Sequence, residues 1–322
     1  MNFLGIEIGG TKLQIVVGDD SDRIIERRRL AVDRAKGADS IRAQIEAVLA
    51  ELIPATRPAA IGAGFGGPVD WNAGEVCCSH QIEGWAGFRL RDWLRLVGGV
   101  PVRVDNDANT ATLGEALHGA GAGFNPVFYI TLGSGVGGGL VVDGEIYHGA
   151  TPGESEIGHV RLDRDGVTLE SRCSGWAVDE KIRRAARTAP GGVLSRLTTG
   201  AAGGEARFLA TAIEQGDALA KQVLEETAGD LGFALSHVVH LFHPAVIVLG
   251  GGLSLVGEAL RAAVEEALGR FTMAAFAPGP PVRLAGLAED AVPRGALELA
   301  KEALKEGQPG REARERRSPE IR

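Results

Sequence analysis

Apolar and polar positions change period repeatedly along this chain, and the changes mark strands alternating with helices. Residues 2–8 read as a buried strand, Gly9-Gly10 turns the chain, and residues 12–18 and 24–32 read as two more strands. Ile41, Ile45, Val48, Leu49 and Leu52 recur at helical spacing, which predicts a helix over 41–53. A strand over 59–65 ends in Gly66-Gly67-Pro68. A short amphipathic helix over 88–97 and a strand over 101–104 follow. The theme then restarts, with a strand over 126–131, a glycine-rich turn over 132–139 and a strand over 140–143. Helices are predicted over 176–186, 205–215 and 218–241, then a fully apolar strand over 245–249, a helix over 255–268, a strand over 282–287 and a closing helix over 291–304. Two strand–glycine-turn–strand openings, each followed by α/β material, predict a duplicated, two-lobed α/β architecture around a cleft. We expect a small lobe over 1–118 completed by the helix at 290–305, a large lobe over 119–289 with a crossing near Gly119–Gly123, and a disordered charged tail over 306–322.

The run Val102-Arg103-Val104 stops abruptly at Asp105-Asn106-Asp107, where a helical pattern over 108–117 begins. Carboxylates at such a junction stand at a strand's carboxyl end and a helix's amino end, where α/β proteins place ligands. Asp107 is the candidate catalytic base. Helix capping is the competing account for one of the three residues, because Asp and Asn are preferred N-caps.

Glycine-rich segments shift the balance towards chemistry, since 47 glycines in 322 residues is about twice the ordinary share. Gly9-Gly10-Thr11-Lys12 lets backbone approach a ligand, and its N–H groups suit phosphate oxygens, although alone such a fragment is more often just a tight turn. Glu7 just before it is placed to hold a hydrated Mg2+, a hard cation that keeps several waters. Thr131-Leu132-Gly133-Ser134-Gly135-Val136-Gly137 is a second phosphate candidate; it matches neither a Walker loop, lacking Gly-Lys-Ser/Thr, nor a dinucleotide fingerprint, since a strand follows it. In Gly250-Gly251-Gly252 a buried strand meets a helix, which suits a nucleotide laid across the turn, with close helix–strand packing as the plainer account. Glu156 and His159, three apart on an irregular glycine-flanked segment with Glu170 beyond, are an acceptor and donor set for vicinal hydroxyls, with a structural histidine as the plainer account. His237, His240 and His243 follow one another at three-residue steps on a helix. Metal binding is possible there, and a polar stripe is the plainer reading.

A net charge of −8 leaves no electrostatic ground for nucleic acid as a partner. No run approaches the roughly 20 apolar residues of a membrane helix, the N-terminus has no signal-peptide pattern, and three cysteines, two of them adjacent, form no disulfide framework. We expect a cytoplasmic protein with a small-molecule partner and no membrane association.

Together these motifs resemble the ROK family of repressors, open reading frames and sugar kinases, within the actin/hexokinase ATPase fold; the resemblance runs from about Phe3 to Leu304. Its first phosphate motif, usually Asp-x-Gly-Gly-Thr-Lys, stands here with Glu7 in place of Asp, and Gly66-Gly67-Pro68-Val69-Asp70 is similar to its Gly-Pro-Gly-x-Val-Asp turn. The resemblance implies ATP and Mg2+ as cofactors, Asp107 as general base, and Asn106, Glu156, His159, Glu170 and Gly67 as sugar contacts. It further implies donor contacts at Gly9, Gly10, Thr11, Lys12, Thr131, Gly133, Ser134, Gly135, Gly137 and Gly250–Gly252, and a homodimer. The family's cysteine-rich zinc cluster is missing: residues 160–168 hold no cysteine, and Cys173 alone does not complete a site that needs four ligands, so no zinc is expected. The core begins at Phe3 with no helix-turn-helix ahead of it, which favours the kinase branch. The expected function is ATP-dependent phosphorylation of a hexose or N-acetylhexosamine, at the 6-hydroxyl. The alternative is a non-catalytic sugar-binding relative. Specificity is expected to depend on His80, Gln81 and Trp85 as well.

Overall fold

The computed structural model describes residues 1–79, 81–153, 155–201 and 203–306; His80 and all of the tail expected at 306–322 except Glu306, which ends the last helix, lie outside the described residues. In chain order the regular elements are β1 (Asn2–Ile8), β2 (Lys12–Asp19), β3 (Ile24–Ala31), α1 (Gly37–Thr56), β4 (Ile61–Phe65), the short β5 (Val69–Asp70) and β6 (Glu75–Val76), α2 (Leu90–Gly98), β7 (Val102–Asn106), and α3 (Asp107–His118). Then come β8 (Val127–Leu132), β9 (Val136–Val142), β10 (Glu145–Ile146), α4 (Leu169–Cys173), α5 (Gly175–Thr188), α6 (Val193–Thr198), α7 (Leu209–Glu214), α8 (Ala218–Phe242), β11 (Val246–Gly250), α9 (Glu258–Phe271), β12 (Val282–Leu284), and α10 (Ala291–Glu306). No helix among the described residues is long and apolar enough to cross a membrane.

The chain divides into two compact units. The first holds residues 1–114, 148–153 and 289–306, and the second 115–147 and 155–288 among the described residues, so the chain passes between them inside α3. In the first unit the sheet order is β3-β2-β1-β4-β7. β1–β2–β3 is an antiparallel meander, while β1, β4 and β7 run parallel. Alternation sends Leu4, Ile6 and Ile8 to the face where Ile41, Ile45 and Leu49 of α1 and Leu90 and Leu94 of α2 are buried. Each such side chain contributes roughly 1.5–3 kcal/mol by leaving water. Phe3 and Val16 face the other way, onto Leu297 and Ala300 of α10. That helix approaches very closely: a methyl group on Gly62 would lie 1.9 Å from Ala296 O, and one on Gly295 would lie 1.7 Å from Thr110 O of α3.

The second unit repeats the plan, with order β10-β9-β8-β11-β12, a β8–β9–β10 meander and parallel β8, β11 and β12. Its core gathers around α8, whose Leu231, Leu235, Val238 and Val239 bury against strand residues Ile130, Ile247 and Leu249.

Four expected elements differ from the observed ones, the first being the helix expected at 205–215, which is a 3-10 turn over Glu205–Phe208 followed by α7. The glycine turn is shorter than 132–139: Gly137, Gly138 and Gly139 belong to β9 and pair with Thr131, Ile130 and Tyr129, leaving Gly133–Gly135 as the turn. The helix expected at 255–268 breaks at Gly257, whose φ of 81° no helix admits, into a 3-10 turn over Gly252–Val256 followed by α9. The last strand stops at Leu284, because the buried Glu115 carboxylate takes the Gly286 and Leu287 amides at 3.0 and 2.8 Å.

Candidate functional site

In the first unit the carboxyl ends of β1, β4 and β7 stand side by side, since Ile8 pairs with Phe65 and Phe65 with Asn106. Each strand runs into one of the expected motifs. Asn106 caps α3, its Oδ1 accepting from Ala108 N at 2.8 Å and Asn109 N at 3.2 Å, and its Nδ2 donates to Gly67 O at 3.1 Å. Capping therefore belongs to Asn106, and Asp107 begins the helix itself. A methyl group on Gly66 would lie 3.4 Å from both Asp107 Oδ2 and Gly9 Cα, which fixes the Asp107 carboxylate beside the first glycine turn.

That turn is closed by Gly9 N donating to Lys12 O at 2.8 Å, and Gly10 O accepts from Arg34 Nε at 2.7 Å. Thr11 at its tip is exposed. Glu7 lies two residues before Gly9, and its Oε2 takes both a hydrogen bond from Gln14 Nε2 and the Lys12 ammonium at 3.5 Å. Burial pushes the Glu7 carboxyl above its usual range, outweighing the lowering pull of Gln14 and Lys12. Trp85, expected to shape a sugar pocket, is instead a core residue between Phe65 and Phe88.

Sequence reading missed a buried network behind Asp107. Asp105 Oδ1 accepts from Asn106 N at 2.8 Å and Asn109 Nδ2 at 3.0 Å, and His148 Nε2 meets Asp105 Oδ2 at 2.6 Å. His148 stacks on Trp71, with ring centroids 4.2 Å apart, and Asn109 Nδ2 also donates to Gly153 O. A lone histidine 43 residues from its partner carries no sequence signal for this pairing.

The second unit gathers the other motifs around Val136. Gly133 N donates to Gly135 O at 2.9 Å to close the loop, and Ser134 at its tip is exposed. Glu170, in the first turn of α4, accepts from Val136 N at 2.8 Å. The 3-10 turn Ile157–His159 is adjacent, since a methyl group on Gly158 would lie 2.2 Å from Val136 O. His159 and Glu156 are exposed, with Nε2 and Oε2 4.0 Å apart. Thr131, the penultimate residue of β8, pairs with Gly250 at the end of β11. Gly251, at φ 78°, packs on Leu132, whose backbone N a methyl group would meet at 2.5 Å, whereas the same construction on Gly252 opens into space. Gly175, unremarked in the sequence, donates its N–H to Gly133 O at 2.7 Å.

The remaining candidates lie elsewhere. Cys173 is buried, its thiol pushed up to about 12 by burial, with Sγ 3.7 Å from Thr227 O. His240 Nε2 accepts from Met273 N at 3.1 Å, His243 stacks on Phe276 and His237 meets the edge of Phe233, so each ring has a structural contact.

A family model described as "ROK family" matches residues 3–303. The chain is similar to the glucokinase of Halalkalibacterium halodurans, at 31% identity over 304 residues spanning 90% of this chain and 92% of that one. It is also similar to the glucokinase of Thermotoga maritima, at 29% identity over 314 residues covering 94% and 98% of the two chains. The crystal structure of a ROK family glucokinase from Streptomyces griseus in complex with glucose and AMPPNP aligns with a TM-score of 0.81 and 30% identity, covering 94% of this chain and 100% of that one. With two α/β units of matching strand order and a family model spanning nearly all its described residues, this chain belongs to the ROK family and has the actin-like ATPase fold.

Proposed function

We infer that this chain is an ATP-dependent sugar kinase that phosphorylates the 6-hydroxyl of a hexose or N-acetylhexosamine, with Asp107 as general base. The observation that carries the reading is the Asp107 carboxylate at the start of α3, beside the Gly9-Gly10 turn, with helix capping already performed by Asn106. Asn106, Gly67, Glu156, His159 and Glu170 are the proposed sugar contacts. The Gly9–Lys12 turn, the Thr131–Gly137 segment and Gly250–Gly252 are the proposed donor contacts.

In the reaction the acceptor hydroxyl gives its proton to an Asp107 carboxylate oxygen as its oxygen bonds to the γ-phosphorus. The bond from that phosphorus to the β,γ-bridging oxygen breaks, and ADP leaves. Backbone N–H groups of the glycine turns offset charge on the phosphate oxygens. Glu7 suits Mg2+: both its partners reach Oε2, and a single carboxylate at the edge of a phosphate turn matches an ion that keeps several waters. When bound, Mg2+ neutralises phosphate charge. We further propose a homodimer that works without a structural zinc and sits in the cytoplasm, with no nucleic-acid partner.

A coupled ADP-release assay over hexoses and N-acetylhexosamines, run with ATP and with polyphosphate, tests the reading. Sugar-dependent ADP release and a product phosphorylated at carbon 6 are expected. Sugar binding without turnover on any donor would establish the non-catalytic alternative instead.

A further inference from the structure

We propose that Glu170 is a positioning residue for the glycine loop Gly133–Gly135, holding it in the form that receives the donor phosphates. The proposal rests on the kinase reading for the identity of that ligand and adds a role beyond sugar contact.

Glu170 reaches out of its own helix. A carboxylate in a first helical turn ordinarily serves the exposed amides there. In α4 that duty falls to Thr168 and Ser171, which form a reciprocal capping box. Glu170 Oε2 instead accepts from Val136 N at 2.8 Å, 34 residues away, at the first position of β9. The same oxygen would lie 2.7 Å from a methyl group on Gly135, so the carboxylate lies directly against the loop. Gly175 N, at the start of α5, holds the opposite side through Gly133 O at 2.7 Å. The loop is thus pinned at both ends by consecutive helices.

The base of this clamp is itself fixed. Leu169 and Cys173 are fully buried, which sets the rotation of α4. The preceding segment closes on itself: Asp163 Oδ1 accepts from the amides of Asp165, Gly166 and Val167 at 2.9, 2.9 and 3.0 Å, and Leu169 N donates to Val160 O at 2.9 Å. Ordering a loop of glycines costs more backbone entropy than ordering any other residue type. A clamp that meets this cost before nucleotide arrives raises nucleotide affinity by preorganisation.

The test is AMPPNP binding to the full chain in the absence of sugar, with the KM for ATP and for sugar measured alongside. Glu170→Ala removes the acceptor and should raise the Kd for AMPPNP about tenfold, the size of one charge-assisted hydrogen bond. Glu170→Gln keeps an oxygen for Val136 N and should stay within about twofold of wild type. Gly135→Ala pushes the carboxylate off Val136 N, so combining it with Glu170→Ala should weaken binding no further than Gly135→Ala alone. AMPPNP affinity unchanged in Glu170→Ala, with only the sugar KM raised, would overturn the proposal and leave the kinase reading intact. Additive losses in the double variant would also overturn it. If Glu170→Ala does not fold, Glu170→Gln losing affinity as severely as Gly135→Ala would overturn it, and retention would uphold it. Wild-type protein that binds no AMPPNP sinks both this proposal and the nucleotide half of the kinase reading.

Discussion

His148 Nε2 lies 2.6 Å from Asp105 Oδ2, and the two side chains are only 7% and 1% exposed. This pair anchors the carboxyl end of β7, two residues ahead of Asp107. Removing one partner of a buried hydrogen bond leaves the other unsatisfied. His148→Ala should therefore lower unfolding free energy by about 1–3 kcal/mol, with His148→Gln, which keeps a donor, losing less. Denaturant unfolding measures both. Equal stability of His148→Ala and wild type would show that Asp105 is held by Asn106 and Asn109 alone.

Asp107→Asn should keep the fold, because the capping bonds at Ala108 and Asn109 belong to Asn106. Turnover should fall by roughly 10²–10⁴-fold, the usual contribution of a positioned general base. Sugar affinity by calorimetry should change little. Near-normal turnover in this variant would remove Asp107 from the proton transfer.

Glu7 holds its proton to higher pH than an ordinary glutamate, through burial. Its proton competes with the ion, so Mg2+ should act at lower concentration as pH rises through that range. Glu7→Gln should raise the Mg2+ concentration needed for half-maximal rate and flatten this pH dependence. A titration of rate against Mg2+ that is the same in both proteins would detach Glu7 from the metal.

Elemental analysis of the purified chain should find no stoichiometric zinc. Residues 160–168 are cysteine-free, and Asp163 and the Thr168 cap organise this stretch with amide hydrogen bonds. One equivalent of zinc per chain, lost with activity on chelation, would contradict this.

Asp217 caps α8, accepting from Leu219 N at 2.9 Å and Ala220 N at 3.0 Å, and its other oxygen takes Leu194 N at 2.9 Å. Burial pushes its carboxyl up, but these backbone hydrogen bonds outweigh it and hold it below the usual range. A depressed carboxyl contributes stability above its unfolded value and loses it as pH falls through the folded one. Wild type should therefore lose stability in acid more steeply than Asp217→Asn, which still caps, while Asp217→Ala should cost about 1 kcal/mol at neutral pH. Parallel acid profiles for wild type and Asp217→Asn would refute the linkage.

The elements were legible because each rests on short-range pattern. Strands β1, β2 and β7 and helices α1, α3, α8 and α10 follow from the period of their apolar residues, and the Asp105-Asn106-Asp107 junction from an apolar run halting at charge. The glycine stretch at 132–139 misled at its far end, since glycine reads as a turn whether it bends the chain or only clears space, as Gly138 does for Phe128 and Ile157 within β9.

By itself, then, the sequence determined the order of the longer strands and helices, the family motifs and which residue types stand at those strands' ends, since these depend on neighbours a few positions apart, whereas the short β5, β6, β10, α4 and α6 escaped it. Only the tertiary structure decided which of Asn106 and Asp107 caps α3, that His148 supports Asp105, and that Glu170 reaches Val136. Those pairings join residues tens of positions apart, and burial and sheet register, which no local pattern encodes, choose among the partners a polar side chain might take.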